Sequence, residues 1–302
     1  MTTEAEYADW IAVDWGTSNL RAWAMRRGSA IAEVSSDQGM SSLAPEAFEP
    51  TLLSLIEPWL GTARMTVVAC GMVGARQGWA EAAYQSVPCP PVGAGATRPL
   101  VKDPRLEVYI LPGLSQSSPP DVMRGEETQI AGFLSDTPDF DGILCLPGTH
   151  TKWAQISAGE VVSFRTFMTG ELFALISKQS VLRHSIDDSW NDGAFAEAVR
   201  DGMADPQALA GRFFGLRAAG LLSDPVPGDA ASRLSGLLLG AELSAARAYW
   251  LGQRVALLGA QKLNTLYATS LSAEGVTAET ADASRATLTG LSAAYARLKE
   301  TI

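Results

Sequence analysis

The sequence predicts an α/β protein of two lobes, and three observations carry that reading. The chain has 302 residues, and a single hydrophobic core usually stops growing at about 250–300 residues. Its first seventy residues read β-β-β-α-β, the opening of a helix-covered sheet. A second β-loop-β-turn-β pattern begins near Ile143, so each half starts on a hairpin around a Gly/Thr/Ser loop. A composition of 47% hydrophobic and 19% charged residues excludes disorder, and no repeat of collagen or coiled-coil type is present.

Taken in order, Trp10–Trp15, Leu20–Met25 and Ile31–Ser35 are short apolar runs separated by GTSN and RRGS, which reads as an antiparallel meander. From Pro45 to Leu60 the apolar residues Phe48, Leu52, Leu55, Ile56 and Trp59 recur at helical spacing. Arg64–Cys70 is a buried strand. Pro88–Pro104 is a Pro/Gly-rich surface loop, Leu106–Pro112 another strand, and Ser115–Pro120 an exposed connection. A helix runs from Gly125 to Leu134, and polar Thr137–Gly142 marks the boundary between lobes 1–138 and 139–302. Ile143–Leu146, Lys152–Ser157 and Val161–Thr166 are strands of the second start. Helices follow at Glu171–Arg183, Ala194–Gly220 and Ser232–Trp250, then a buried strand at Arg254–Gly259 and a helix from Gln261.

Charge and cysteine content narrow the setting. The net charge of −10 makes nucleic acid and anionic membrane poor partners, so any phosphate must meet local donors or a metal. Three cysteines, Cys70, Cys89 and Cys145, make an odd set without close spacing, which suits a reducing, cytoplasmic compartment. Met1 to Trp10 carries Glu4, Glu6 and Asp9 and has no apolar signal core. No run approaches the length of a membrane span. Oligomeric state is left open, a homodimer being one option.

The loops carry the chemistry. No GxxxxGK(S/T) occurs, and GAGATR at Gly93–Arg98 breaks the GxGxxG pattern, so neither a P-loop nor a Rossmann cradle is supported. Two histidines exclude a His-rich zinc site. Asp14-Trp15-Gly16-Thr17-Ser18-Asn19 sets an acid at a strand end, then glycine and three short polar residues. Gly16 permits close backbone approach, Thr17, Ser18 and Asn19 offer amides and hydroxyls to phosphate, and Asp14 is placed to hold hydrated Mg²⁺. An ordinary hairpin turn satisfies the same residues. Gly148, Thr149, His150, Thr151 and Lys152 stand at the matching place in the second half. Between them, Arg124 precedes Glu126 and Glu127 at a helix start; the carboxylates supply either a general base or a favourable pairing with the helix dipole. Arg165 is a further candidate for an anionic substrate, and either Thr169 or Gly170 is expected to cap the helix at Glu171.

Six segments, DWGTSNLRAW (Asp14–Trp23), GMVGARQGW (Gly71–Trp79), MRGEETQ (Met123–Gln129), LPGTHTKW (Leu146–Trp153), FRTFMTGELF (Phe164–Phe173) and LSGLLLGAE (Leu234–Glu242), resemble the signatures of 2-dehydro-3-deoxygalactonokinases and run in family order over nearly the whole chain. The resemblance implies a two-lobed actin-like ATPase (ribonuclease H-like) fold with ATP in the interdomain cleft. It implies phosphoryl transfer from ATP, with Mg²⁺, to the 6-hydroxyl of 2-dehydro-3-deoxy-D-galactonate, a small sugar acid. On that footing Gly16–Asn19 and Gly148–Lys152 are phosphate loops, Gly240 and Gly259 are nucleotide contacts, and one of Glu126 and Glu127 is the base, Glu127 being preferred. Arg21, Gly71, Met72, Arg76, Arg124, Arg165 and Thr169 fall in segments facing the sugar acid, with one arginine for its carboxylate. One departure stands out: much of the superfamily opens its second loop with aspartate, where this chain has Leu146. A phosphatase, an NTP or polyphosphate hydrolase on the same fold, a kinase for the gluconate epimer and a non-catalytic sugar sensor are the alternatives.

Overall fold

The computed structural model describes residues 7–93, 95–224 and 226–301; Glu4 and Glu6 of the acidic N-terminus, and Ala94 of GAGATR, lie outside the described residues. By packing, the chain divides into two units. The first comprises Met1–Phe140, Ile156–Ser163 and Ala283–Ile302, the second Asp141–Gln155 and Phe164–Asp282.

In the first unit, β1 (Trp10–Trp15), β2 (Leu20–Arg26) and β3 (Ser29–Ser36) form the meander. Helix α1 (Phe48–Ile56) leads to β4 (Met65–Cys70). The helical pattern expected over Pro45–Leu60 is regular only in α1, because Pro45 and Pro58 confine its flanks to 3₁₀ turns. Strand β5 (Tyr84–Ser86), β6 (Leu106–Ile110), β7 (Gly113–Ser117), β8 (Pro120–Met123) and helix α2 (Glu126–Asp136) follow. The main sheet has the order β3-β2-β1-β4-β6, with β1 antiparallel to β2 and parallel to β4, and β4 parallel to β6. The stretch at Ser115–Pro120, expected as a bare connection, instead contributes to a small sheet β5-β7-β8. Its polar residues carry no apolar alternation, so the pairing is invisible locally.

Side-chain alternation along β1 sets the layers. Ile11, Val13 and Trp15 point into a core completed by Phe48, Leu52 and Ile56 of α1. Trp10 and Ala12 point to the opposite face, against Ala131 of α2 and Leu291 and Ala294 near the C-terminus.

The second five-stranded sheet, whose hairpin end at Ile156–Ser163 is counted with the first unit, repeats this order. Strands β9 (Gly142–Leu146), β10 (Thr151–Ser157) and β11 (Glu160–Phe167) are followed by helices α3 (Thr169–Gln179), α4 (Asp192–Ala204), α5 (Leu209–Leu222), α6 (Asp229–Ala245) and α7 (Arg247–Trp250). Then come β12 (Val255–Gly259), α8 (Gln261–Ala273) and β13 (Glu279–Asp282). The order β11-β10-β9-β12-β13, with β12 parallel to both β9 and β13, matches β3-β2-β1-β4-β6 position by position. The run expected as one helix over Ala194–Gly220 breaks after Ala204, where Asp205 leaves the helical region ahead of Pro206.

The last helix, α9 (Ala283–Thr301), goes beyond the sequence reading, which stops at the helix from Gln261, although Leu288, Leu291, Tyr295 and Leu298 recur at helical spacing. It packs on α2 in the first unit, whereas a linear cut at 138/139 would put it with the second. Close approach permits this packing. A Cβ on Gly290 would stand 1.9 Å from the Thr128 carbonyl oxygen, and one on Gly132 1.8 Å from that of Ala286.

Candidate active site

The residues singled out from the sequence fall into two groups, one in each unit. In the first, β1 delivers Asp14 to the sheet end and the hairpin turn leaves Thr17, Ser18 and Asn19 exposed. The turn is closed by Gly16 N–H donating to the Asn19 carbonyl at 2.9 Å. Its own carbonyls are tied back: Met40 N–H donates to Gly16 at 3.0 Å and Ser41 N–H to Thr17 at 3.0 Å. Trp15 Nε1 donates to the Gln38 carbonyl at 3.0 Å. With those acceptors occupied, the loop offers hydroxyls and amides to an anion.

Asp14 is half-buried. Its Oδ2 accepts from Arg21 Nη2 at 2.6 Å, and Arg21 Nη1 reaches Ser284 Oγ at 2.7 Å. Arg21, expected among the substrate-facing residues, is thus engaged with Asp14. The other carboxylate oxygen, Oδ1, lies 3.8 Å from Cys70 Sγ.

Two glycines bring Glu127 into the neighbourhood of Asp14. Gly71, following β4, has φ +91°, and Gly125, preceding α2, has φ +106°, conformations that side chains rarely adopt. A Cβ on Gly71 would sit 2.8 Å from the Trp15 carbonyl oxygen and 3.4 Å from Asp14 Oδ1; one on Gly125 would sit 3.3 Å from the Gly71 Cα. The ends of β1 and β4 and the start of α2 therefore converge. Glu127 is 1% exposed. Its carboxylate accepts Gly125 N–H at 2.6 Å and Thr128 Oγ1–H at 3.0 Å. Burial, with the Glu126 charge beside it, pushes its pKa up to about 8. Half-buried Glu126 accepts the Arg124 N–H at 3.0 Å. Burial and the charges of Asp14 and Glu127 together raise the Cys70 thiol well above its ordinary value.

The arginines separate by environment. Arg124 is buried rather than open: Nη2 donates to the Ala82 carbonyl at 2.7 Å, and its guanidinium stacks 4.3 Å from the Tyr84 ring centre. Its Nε and Nη1 have no hydrogen-bond partner. It acts as a strut between the 82–84 segment and the start of α2, in place of the expected position facing the sugar acid. Arg76 is exposed, with only a long 3.5 Å pairing to Glu81. Met72 is half-buried in the turn after Gly71, and Arg165 is exposed on β11.

In the second group, β9 ends on Leu146, 3% exposed, so no carboxylate stands at the strand end. Gly148 borders open space, and Thr149 and His150 are exposed. Thr151 and Lys152, expected beside them at the surface, are buried: Thr151 Oγ1 pairs with Tyr267 OH at 2.9 Å, and Lys152 Nζ donates to Thr166 Oγ1 at 2.9 Å. The first four residues of β10 are buried on both faces of the strand, and interior partners hold both side chains there. The start of α3 supports the loop. Glu171 N–H donates to the Thr149 carbonyl at 2.9 Å, His150 Nε2 meets Glu171 Oε2 at 2.6 Å, and a Cβ on Gly170 would stand 2.3 Å from the Gly148 carbonyl oxygen.

Glu242 was quoted within a motif but not selected from sequence. It is 3% exposed on α6, and its carboxylate accepts from Trp153 Nε1 at 2.8 Å, Tyr267 OH at 2.9 Å and the Thr169 hydroxyl. Thr169 therefore serves Glu242. Burial pushes the Glu242 pKa up to about 7 against those hydrogen bonds. A lone carboxylate within the apolar run LSGLLLGAE was the only signal available. Gly240 of that motif requires correction as a nucleotide contact. It is buried between α4 and α6, where a Cβ would lie 2.2 Å from the Val199 carbonyl oxygen, so helix packing accounts for it.

Gly259 closes β12 beside a surface cavity of about 440 Å³ lined by Gln261, Asn264, Thr265, Thr280 and Asp282. Asn264 Nδ2 donates to the Gly259 carbonyl at 3.1 Å, leaving its buried Oδ1 without a partner. Among the described residues, no group of three or more His, Cys, Asp or Glu side chains is arranged to hold a metal ion, and no helix is long and apolar enough to cross a membrane.

A family model described as 2-keto-3-deoxy-galactonokinase matches residues 14–294. A Rhizobium meliloti protein named "Probable 2-dehydro-3-deoxygalactonokinase" is 37% identical over 97% of this chain and 98% of its own. The 2-dehydro-3-deoxygalactonokinase of Escherichia coli is 33% identical over 89% of this chain and 91% of its own. A crystal structure of a Sinorhizobium meliloti protein named for the same kinase superposes with a TM-score of 0.88 at 38% identity, covering 96% of each chain. The architecture is that of the actin-like ATPases and sugar kinases.

Proposed function

The chain belongs to the 2-keto-3-deoxy-galactonokinase family, and we propose that it transfers the γ-phosphoryl group of ATP to the 6-hydroxyl of 2-dehydro-3-deoxy-D-galactonate. The observation that carries this reading is the convergence of Asp14, Gly71, Gly125 and Glu127 at one end of the first sheet. Phosphoryl transfer needs positioning and charge neutralisation rather than a covalent nucleophile.

The hydroxyl O–H bond breaks as its oxygen bonds the γ-phosphorus, the bond from that phosphorus to the β-γ bridging oxygen breaks, ADP departs, and the proton passes to Glu127. Two adjacent carboxylates in unequal environments divide their roles: Glu127 is buried and proton-hungry, and half-buried Glu126 raises its affinity further. A single half-buried carboxylate with one lightly engaged oxygen fits Mg²⁺, which is usually bound through one or two carboxylates, waters and phosphates. Asp14 would hold that ion, and the ion supplies charge neutralisation to the phosphates. Within the first unit Thr17–Asn19 offer donors to phosphate oxygens; within the second, Gly148–His150 offer donors of the same kind and the cavity beside Gly259 is the candidate for the nucleoside. Arg76 and Arg165, the exposed members of the four arginines, are the candidates for the sugar acid carboxylate. The three free thiols fit a reducing cytoplasm.

Coupled ADP release across several 2-keto-3-deoxy sugar acids, with ATP and Mg²⁺, tests the reading. The galactonate-derived acid is expected to give the highest kcat/KM. Equal ATP turnover with and without any sugar acid would mark a hydrolase instead.

A further inference from the structure

We propose that Glu242 is a positioning residue for the second loop: its buried carboxylate holds Gly148–His150 in the shape that receives the ATP phosphates, and so governs affinity for nucleotide rather than for sugar acid. This rests on the function proposed above.

Two stems shape that loop, and Glu242 grips both. On the exit side, Trp153 of β10 donates to it directly at 2.8 Å. Thr151, the first residue of β10, is joined to it through Tyr267, whose hydroxyl lies 2.9 Å from both Thr151 Oγ1 and Glu242 Oε1. On the other side, the Thr169 hydroxyl donates to Oε2 at the first residue of α3. That helix start is the platform on which the loop rests, through Glu171 N–H on the Thr149 carbonyl and the close passage of Gly170 under Gly148. Loss of the carboxylate would release the platform and the exit strand together.

The chemistry makes this an unusual anchor. Its partners Trp153, Tyr267 and Thr169 are neutral groups on three different elements. The other titratable groups facing it, Tyr267 on α8 and Cys145 on β9, are buried and raised well above their ordinary values, so both stay neutral. A carboxylate buried without a cation is costly, and apolar residues would fill the same space more cheaply. What the carboxylate adds is orientation: two oxygens collect three donors at fixed directions, and an alkyl side chain collects none. Thr169, Gly170, Gly148 and Tyr267 also share the lining of a small cavity of about 60 Å³, so the loop and two of the groups that Glu242 holds border one space.

The test compares Glu242→Ala and Glu242→Gln by steady-state kinetics and by calorimetric titration with MgATP. Uniform binding losses appear in KM, so Glu242→Ala is expected to raise the KM for ATP by about tenfold or more, with that for sugar acid changing less than about threefold. Gln keeps the shape and one acceptor oxygen, and is expected to return the ATP value to within about threefold of wild type. Equal changes in both KM values, or an unchanged MgATP affinity in folded Glu242→Ala, would overturn the proposal and leave Glu242 as a stability element. If Glu242→Ala does not fold, Tyr267→Phe and Thr169→Val each remove one donor and are expected to give a smaller shift of the same ATP-selective kind; no selectivity in either overturns it. If wild-type protein phosphorylates none of the sugar acids, the kinase reading fails by itself. The MgATP titrations still decide the role of Glu242.

Discussion

Among individual residues, Asp14 and the Glu126–Glu127 pair carry the sharpest expectations. Asp14→Asn keeps the size and one acceptor oxygen but removes the charge. It is expected to lower kcat by about two orders of magnitude or more, while circular dichroism shows an unchanged fold; an unaltered kcat would remove Asp14 from the site. Glu126 is half-buried and Glu127 buried, so the effects of Glu126→Gln and Glu127→Gln are expected to be unequal, Glu127→Gln costing at least about tenfold more in kcat. A base acts only when ionised. With the Glu127 pKa pushed up to about 8, kcat/KM is expected to rise with pH toward that value in wild type. The rise should be absent from Glu127→Gln. Matching mild effects in both variants would return the pair to helix-start electrostatics.

The helices α2 and α9 make the same connection at the level of elements. Glu127 and Thr128 open α2, and the Thr128 carbonyl lies against Gly290 of α9 at a distance that admits no side chain. Gly290→Ala forces those helices apart, and overpacking of this kind costs typically about 1–3 kcal/mol. Denaturant unfolding is expected to show that loss, and the displaced helix start is expected to lower kcat beyond any change in KM. A Gly290→Ala protein with wild-type stability would show that α9 adjusts freely. The α4–α6 pair uses the same device through Gly202, Gly236 and Gly240, which is why a glycine-bearing motif there reports packing rather than nucleotide binding.

Across the whole molecule, two buried carboxylates tie stability to pH. The folded-state pKa values of Glu127 and Glu242, about 8 and about 7, both lie above the ordinary carboxylate value of 4.5. Between those values the folded state holds protons that the unfolded chain has lost, so stability falls as pH rises from about 5 to 8. Tm is expected to decrease over that range, and Glu127→Gln with Glu242→Gln is expected to flatten the decline; a Tm rising from pH 5 to 8 would contradict both burials. The sequence alone determined the paired sheet starts, the hairpin loops that open at Gly16 and at Gly148, and the six motifs that mark the family, because apolar runs and turn residues are local signals. Tertiary structure alone decided which polar residues turn inward. Lys152 stands in an expected phosphate loop and Arg124 in a segment expected to face the sugar acid, yet interior partners engage both. Glu242 acquires its role from Trp153 and Thr169, 89 and 73 residues away in sequence. Helix α9 joins the first unit through close glycine contacts, and a local apolar pattern does not say which helix it will meet. Burial and hydrogen-bond partnership are set by contacts between distant segments, so they become visible only once the chain has folded.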